Sequence, residues 1–181
     1  MYPIVRLAKE FVKFRNAPDL DLLGVHVSHH RCWPWDIDVW MELNNGRTLT
    51  LYDLGRTVLA KRVGLLDMLK RNRFAIAMAG ASVRWRIRIR AFERFEMRSR
   101  AVGWDERFVY LEQSIWKSDG RCAGQILCRS AVTGPKGIIN PNDVLLDMSR
   151  NDAPPELPEW VQSWIAADAT RPWPPENPVE S

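Results

Sequence analysis

Apolar residues recur at helical spacing in two parts of the chain and at strand spacing in most of the rest. The first helical pattern covers residues 3–15, where Lys and Arg fall mainly on the other face. The second runs from Asn45 to about Arg62, and a short third piece follows Gly64. Because residues three and four apart share one face of a helix, these patterns predict three helices. The residues expected to be buried along the second helix are Leu49, Leu51, Tyr52, Leu54, Val58 and Leu59.

Period-two alternation predicts antiparallel strands in the remainder of the chain. The predicted strands are Val25–Trp33, Arg94–Gly103, Arg107–Lys117 and Arg121–Thr133, together with Phe74–Met78 and Ala81–Arg90, which form one strand or two joined by Gly80. The Ser118-Asp119-Gly120 segment has the D-G signal of a tight hairpin turn. One long helix followed by a run of antiparallel strands is an α+β pattern.

Composition divides the chain into three parts. Residues 1–20 carry a basic amphipathic helix, which we expect to dock on its own domain, with contact to a membrane surface as the alternative. Residues 21–140 carry the long helix and the strands of the main domain. Residues 141–181 form an arm rich in Pro and Trp, which holds eight of the 12 prolines and a short predicted helix over Leu157–Ala167.

The overall composition is that of a globular protein, with 46% hydrophobic and 27% charged residues among 181. The net charge of +4 permits anionic ligands without demanding nucleic acid. Three cysteines without C-x-x-C spacing indicate reduced thiols and a cytoplasmic protein. No apolar run approaches the roughly 20 residues of a membrane span. His29 and His30 are neighbours in a predicted strand and face opposite sides, so we expect no metal site.

The densest candidate chemistry lies just before the long helix. Asp36 and Asp38 precede an asparagine pair, Asn44 and Asn45. Asn is a common helix N-cap because its side-chain oxygen accepts an unpaired N–H of the first turn. The helix start also gathers N–H donors that can polarise a carbonyl oxygen, while a nearby carboxylate can act as base or nucleophile. From spacing alone, a capped helix after a polar loop explains the same residues.

This run resembles the signature of hot-dog-fold acyl-CoA thioesterases of the 4-hydroxybenzoyl-CoA thioesterase type. The signature reads approximately D-x-D-x-x-G-H-x-N-N-x-x-Y and continues into a helix that carries an acid and an Arg. The positions in register with it are Asp36, Asp38, Asn44, Asn45, Asp53 and Arg56. Met41, Glu42 and Thr48 stand where the signature has Gly, His and Tyr. The resemblance extends from about Gly24 to about Ile139 and points to a divergent thioesterase-like branch.

The resemblance implies a long central helix wrapped by a curved antiparallel sheet, and hydrolysis of an acyl-CoA thioester. It also implies a homodimer or a dimer of dimers with its site at the subunit interface, and no cofactor beyond coenzyme A as part of the substrate. Asp38 would be the catalytic carboxylate, and the N–H of Asn45, with that of Gly46, would hold the oxyanion. The neighbouring positions expected to bind substrate are Glu42, Asn44, Gly46 and Thr48.

A second hot-dog branch places its acid on the helix, about eight residues beyond the helix start. Asp53 lies eight residues after Asn45, so it is a second candidate for the catalytic carboxylate. The structural alternative is an ion pair between Asp53 and Arg56 or Arg47 on the same helix. Asp38 is the preferred candidate.

Four arginines alternate with apolar residues between Val83 and Arg90. In a strand they would form one basic stripe opposite Trp85, which would face the core. Arg84, Arg86 and Arg88 are therefore candidates for binding the phosphates of coenzyme A. The favoured alternative is a solvated sheet face whose charge is balanced by acids on neighbouring strands. Binding of nucleic acid is the least favoured interpretation, because the basic face has no aromatic residues on which bases could stack.

A different class of function is also compatible with these residues. A hot-dog protein can bind acyl-CoA or a lipid without hydrolysing it. Met41, Glu42 and Thr48 favour this alternative because each removes a residue that the signature contains.

Overall fold

The computed structural model describes residues 2–177. Its elements in chain order are helix α1 (Ile4–Lys13), strand β1 (His26–Arg31), helices α2 (Asn45–Arg62) and α3 (Leu65–Asn72), strands β2 (Ala75–Trp85), β3 (Arg94–Trp104), β4 (Val109–Lys117), β5 (Cys122–Gly134) and β6 (Gly137–Ile139), and helices α4 (Pro141–Asp147) and α5 (Glu159–Ala169). The helices predicted near residues 3–15, 45–62 and 157–167 are confirmed, whereas α4 and β6 were not anticipated. Within residues 2–177 no helix is long and apolar enough to cross a membrane.

The strands form one antiparallel sheet in the order β1-β3-β4-β5-β2, and β6 pairs with β5. Strands β3, β4 and β5 are consecutive hairpins, and the predicted turn before Arg121 joins β4 to β5, with Gly120 at a φ of 82°. Strand β2 is a single strand with a bulge between Met78 and Gly80. The sheet curls around α2, which confirms the α+β fold with a wrapped central helix.

Helix α2 begins where the asparagine pair predicted. The side chain of Asn44 caps it, because Asn44 Oδ1 accepts a hydrogen bond of 2.9 Å from the N–H of Arg47. The buried residues of the helix include Leu51, Tyr52, Leu54, Val58 and Leu59, as expected. The expectation for Leu49 was wrong: its side chain is 38% exposed. Leu49 lies on a flank of the helix that the sheet does not cover.

Glycine at position 55 lets α2 approach the sheet closely. A Cβ at Gly55 would lie 2.4 Å from Ser99 Oγ and 2.8 Å from Met97 Sδ, both on β3. Gln113 of β4 fixes the same contact by donating 2.8 Å hydrogen bonds to the carbonyl of Tyr52 and to Ser99 Oγ. The helix is therefore held on the sheet by backbone approach and by a buried amide, in addition to apolar packing.

The predicted arginine strand is corrected by the structure. Strand β2 ends at Trp85, which pairs with Gly124 near the start of β5. The N–H groups of Arg86 and Ile87 both donate to the carbonyl of Ala123, at 2.9 and 3.0 Å, and the chain leaves the sheet there. Trp85 is 40% exposed, so the prediction that it faces the core was also wrong.

The parts of the chain outside the central helix and sheet also pack on apolar clusters. Val144 of α4 joins a cluster with Met68, Leu69 and Val132. Val161 of α5 joins a second cluster built on β3, β4 and β5. Leu7 of α1 packs against the central cluster under α2. Both ends of the described chain thus contribute to buried surfaces.

Candidate active site at the start of helix α2

The loop between β1 and α2 folds back on itself before the helix begins. Ile37 and Leu43 form an isolated antiparallel bridge, the N–H of Asp38 donates to the carbonyl of Glu42 at 2.9 Å, and the N–H of Met41 donates to the carbonyl of Asp38 at 3.0 Å. Met41 closes this turn at a φ of 59°. Because that conformation favours glycine, the turn explains why the signature has Gly at this position.

Asp36 is completely buried and holds the loop in place. Its Oδ1 lies 2.6 Å from Arg47 Nε on α2, and its Oδ2 lies 2.7 Å from Arg6 Nη1 on α1. The N–H of Trp33 donates to Oδ2 at 3.0 Å. Burial by itself raises the pKa of Asp36, but the Trp33 N–H and the two guanidinium groups outweigh it and hold the pKa below its ordinary value. Asp36 is thus a structural anion with its lone pairs occupied.

Asp38 lies in a different environment, although it is two residues away. Its side chain is partly exposed, and Oδ1 accepts a single hydrogen bond of 2.9 Å from the N–H of Trp40. Within residues 2–177 its carboxylate makes no ion pair. Of the two carboxylates in the motif, Asp38 is the one with acceptor capacity to spare.

The start of α2 presents hydrogen-bond donors to solvent. Asn45 and Gly46 are exposed, and as the first two helical residues their N–H groups have no acceptor inside the helix. Asn44 is engaged as the cap. The hydroxyl of Thr48, which is buried, donates to the carbonyl of Asn44 at 2.9 Å. Asn45 and Gly46 are therefore the predicted residues with free main-chain donors.

A cleft of about 220 Å³ lies between the start of α2 and the end of β2. The predicted site residues that line it are Glu42, Asn45, Thr48, Arg86 and Arg88. Glu42 and Arg88 pair across it, with Arg88 Nε 2.7 Å from Glu42 Oε2. Asp38, Asn44, Gly46 and Arg84 are not part of its lining. The structure thus gathers about half of the predicted residues around one cleft.

Asp53 belongs to a second cavity, of about 460 Å³, on the flank of α2. Its carboxylate pairs with Arg56, and the hydroxyl of Tyr2 approaches it as well. Burial raises the pKa of Tyr2, and the negative charge of Asp53 raises it further. Arg56 also donates to Gln113 Oε1 at 3.4 Å. The ion pair considered for Asp53 is therefore formed with Arg56, whereas Arg47 is directed to Asp36.

Two contributions to the site were not apparent from the sequence. Arg6 reaches Asp36 from α1 across 30 residues of sequence, and no local pattern relates the two. The second cavity, which Asp53 lines, has part of its wall formed by α4, a helix that the sequence did not predict. The ion pair between Arg47 and Asp36 could have been suspected from the sequence, because both residues lie in the signature region.

A long helix wrapped by a curled antiparallel sheet, with a polar loop and an open helix start at one end, defines a hot-dog-fold protein. The chain belongs to the thioesterase-like superfamily, which it matches over residues 32–165. It is 32% identical over 152 residues to Protein THEM6 of Danio rerio, an alignment that covers 83% of this chain and 73% of that protein.

Solved structures have the same fold at low sequence identity. The DHNA-CoA thioesterase of Staphylococcus aureus superposes with a TM-score of 0.61 at 12% identity, covering 80% of this chain and 91% of that one. The hypothetical protein SAV2348 of Staphylococcus aureus, solved in complex with CoA, superposes with a TM-score of 0.59 at 10% identity, covering 79% of this chain and 95% of that one. At these identities the likeness establishes the fold.

Proposed function

We propose that the protein hydrolyses an acyl-CoA thioester at the start of α2. Two features of one segment carry this proposal. Among the described residues, the N–H groups of Asn45 and Gly46 have no hydrogen-bond acceptor, and the carboxylate of Asp38, in the loop just before them, makes no ion pair. Donors fixed at a helix start can stabilise the negative charge that develops on a thioester oxygen. The superfamily membership and the CoA-bound fold neighbour support the same reaction.

In the proposed reaction, Asp38 acts as general base. It takes a proton from a water molecule, whose oxygen attacks the thioester carbonyl carbon. The carbonyl oxygen becomes an oxyanion that accepts hydrogen bonds from Asn45 and Gly46. When this intermediate collapses, the carbon–sulfur bond breaks, the carboxylic acid is released, and the coenzyme A thiolate takes up a proton. Direct attack by Asp38, followed by hydrolysis of the resulting anhydride, is the nucleophilic variant of the same step.

The surroundings of the three carboxylates favour Asp38 for this role. Asp36 is buried and already accepts hydrogen bonds from two arginines. Asp53 is paired with Arg56 and lies eight residues beyond Asn45, about 12 Å along the helix axis. A general base must be within hydrogen-bond reach of the attacking water, and the Asp53 carboxylate is already engaged by Arg56.

Arg84 and Arg86 are proposed to bind the phosphates of coenzyme A. Both are exposed, Arg86 lines the cleft and Arg84 precedes it by two residues, and within residues 2–177 neither makes an ion pair. Arg88 contributes less free charge because Glu42 already pairs with it. Guanidinium groups bind phosphate oxygens in a bidentate manner, so two unpaired arginines near the cleft suit a diphosphate.

A homodimer, or a dimer of such dimers, is proposed on the resemblance and on the free edge of β2. Strand β2 pairs with β5 on one side, and its other side has no partner strand within the described chain. Ile76 and Met78 on this strand are exposed. An unpaired edge of 11 residues with apolar side chains is suited to pairing with a second strand, which would bring a second subunit close to the cleft.

The deciding experiment is thiol release from a panel of acyl-CoAs by the wild-type protein and three variants. We expect Asp38→Asn to lower kcat by about a hundredfold or more, because the base is removed. Asp53→Asn should retain most of the activity. Asp67→Asn, which changes an exposed carboxylate paired with Lys61 in the last turn of α2, should match wild type. Release that survives in Asp38→Asn and disappears in Asp53→Asn would refute the assignment of the base to Asp38.

The alternative function, binding of acyl-CoA or lipid without turnover, is favoured by two observations. Glu42, which replaces the signature His, is paired with Arg88. Thr48, which replaces the signature Tyr, uses its hydroxyl within the first turn of α2. If this alternative holds, an acyl-CoA will raise the melting temperature while no thiol is released.

A further inference from the structure

The cavity that Asp53 lines has mainly apolar walls. It has a volume of about 460 Å³ and lies between the flank of α2, the inner face of the sheet, and helices α3 and α4. This volume is within the range of small-molecule sites. Its walls include Leu59, Leu69, Met78, Leu111, Leu145 and Met148. An apolar molecule that fills such a cavity covers the apolar side chains of its walls, which is favourable because this surface is removed from water.

The polar groups of the cavity are confined to a small part of its wall. Among the described residues, the charged side chains in the lining are Asp53 and Arg56, both on α2, and the hydroxyls are those of Thr57 and Ser130. Asp53 and Arg56 neutralise each other. The side formed by α3 and α4 presents apolar residues. This polarity gradient suits a molecule with a long hydrocarbon part that points away from α2.

One face of α2 connects the helix start with this cavity. Asn45, Leu49 and Asp53 follow each other at intervals of four residues and therefore lie on the same face of the helix. Asn45 is exposed at the helix start, Leu49 is the partly exposed residue one turn further, and Asp53 lines the cavity. The distance from Asn45 to Asp53 is about 12 Å along the axis. A compact acyl group held at Asn45 would end near Leu49 and leave the cavity unfilled.

We propose that the cavity holds the hydrocarbon chain of a fatty acyl group. This inference rests on the proposed function, since it places the thioester at the start of α2 and the methyl end of the acyl chain in the cavity. The acyl chain runs past Leu49 and ends against Leu69, Leu145 and Met148. The preferred substrate class is therefore medium- to long-chain fatty acyl-CoA, because only a long linear chain spans the helix face and reaches the apolar end.

Helix α4 sets the length of the acyl chain in this arrangement. Leu145 is 7% exposed and lines the cavity, whereas its neighbour Leu146 is 59% exposed and is not part of the lining. Two leucines on one short helix thus offer a test residue and a matched control. A larger side chain at position 145 shortens the cavity, and a smaller one extends it.

The test is binding of saturated fatty acids with six to eighteen carbons to the full chain, measured by displacement of a fluorescent fatty acid. A fatty acid is the hydrolysis product, so binding is read without turnover. We expect affinity to rise about fourfold for each added methylene, until the acyl chain fills the cavity. Leu145→Trp should move this limit to shorter fatty acids and Leu145→Ala to longer ones, while Leu146→Trp and Leu146→Ala should leave it unchanged.

Several outcomes would overturn the inference. Affinity that does not depend on length, absence of binding, or a limit that is the same in Leu145→Ala and wild type would each do so. If Leu145→Trp does not fold, Leu145→Ala decides the question. Thiol release separates this inference from the proposed function. If binding depends on chain length but no thiol is released, the cavity remains the fatty acyl site and the proposed hydrolysis is refuted. If thiol is released from acyl-CoAs with no dependence on chain length, the proposed hydrolysis stands and the fatty acyl site in the cavity is refuted.

Discussion

Arg47 Nε lies 2.6 Å from Asp36 Oδ1, and this contact joins the first turn of α2 to the loop that precedes it. Arg6 binds the other oxygen of the same carboxylate at 2.7 Å. One buried side chain thus ties α1, the loop and α2 together. The position of Asp38, two residues further along, depends on this connection. Asp36 is a positioning residue, and Asp38 is the proposed catalytic residue.

Replacing Asp36 should destabilise the protein far more than replacing Asp38. In Asp36→Ala, two guanidinium groups and the N–H of Trp33 lose their acceptor, and we expect a loss of about 3 kcal/mol in the free energy of unfolding. In Asp38→Ala, one exposed hydrogen bond to Trp40 is lost, and the change should stay within about 0.5 kcal/mol. Urea unfolding of both variants measures the difference. Equal losses would contradict the distinct roles assigned to the two carboxylates.

Gly55 should tolerate no side chain. The methyl group of Gly55→Ala would lie 2.4 Å from Ser99 Oγ, so α2 must move away from β3. We expect a loss of about 2 kcal/mol or more in stability. Gly46→Ala is the matched control, because the nearest atom there is Asn44 Oδ1 at 3.3 Å and alanine favours the helix. Thermal unfolding should separate the two variants clearly. A Gly55→Ala variant as stable as wild type would show that α2 can shift at no cost.

Stability should fall as the pH is lowered from neutral, in part because of His30. Burial lowers the pKa of His30 to about 3, against an ordinary value of 6.5. Between these values the unfolded chain binds a proton that the folded protein does not, so stability is present above pH 6.5 and is lost as the pH falls. The contribution of one such group is at most about 1.4 kcal/mol per pH unit.

A pair of variants isolates this effect. His30→Gln removes the titrating group next to Ser28 Oγ, to which His30 Nε2 is hydrogen-bonded at 2.9 Å. The slope of unfolding free energy against pH between 6.5 and 4 should become shallower. His29→Gln should leave the slope unchanged, since His29 is exposed on the other face of β1. His26, whose pKa burial lowers to about 4, keeps part of the slope in both variants.

Arg86 should influence the binding of coenzyme A without affecting the fold. It is exposed, lines the cleft beside α2 and makes no ion pair within residues 2–177. Arg86→Ala should raise KM for acyl-CoA about tenfold at low salt, with a smaller difference at high salt because exposed charges are screened. Arg171→Ala is the control, since Arg171 is exposed, pairs with Asp168 at the end of α5 and does not line the cleft. Identical KM values for the two variants would remove Arg86 from the proposed site.

The parts of the fold that depend on local signals could be predicted from the sequence. Asn44 marks the start of α2 because capping involves residues three apart, and the D-G turn between β4 and β5 is set by two adjacent residues. The hot-dog fold was implied by the resemblance of residues 36–56 to a family signature. In each case the deciding interaction lies within a few residues along the chain.

The parts that depend on distant partners could not be predicted. Alternation continued to Arg90, but β2 ends at Trp85, where the N–H groups of Arg86 and Ile87 both bond to the carbonyl of Ala123 and the regular pairing with β5 stops. Leu49 has the same apolar character as Leu51, yet the sheet covers only one of them. The difference between Asp36 and Asp38 depends on Arg6, whose position relative to the loop is set by the packing of α1. The sequence motif alone does not distinguish the two carboxylates.

The strand order has a consequence for synthesis of the protein. Strands β1 and β2 are made first but lie at the two edges of the sheet, on either side of the β3-β4-β5 hairpins that are made later. On the ribosome, α2 can pack on α1 and β1 as soon as it forms, but the sheet that wraps it is complete only when β5 has emerged as far as residue 134. Strand β1 stays unpaired until β3 has been made, and β2 until β5 has been made, and free strand edges at this stage favour aggregation.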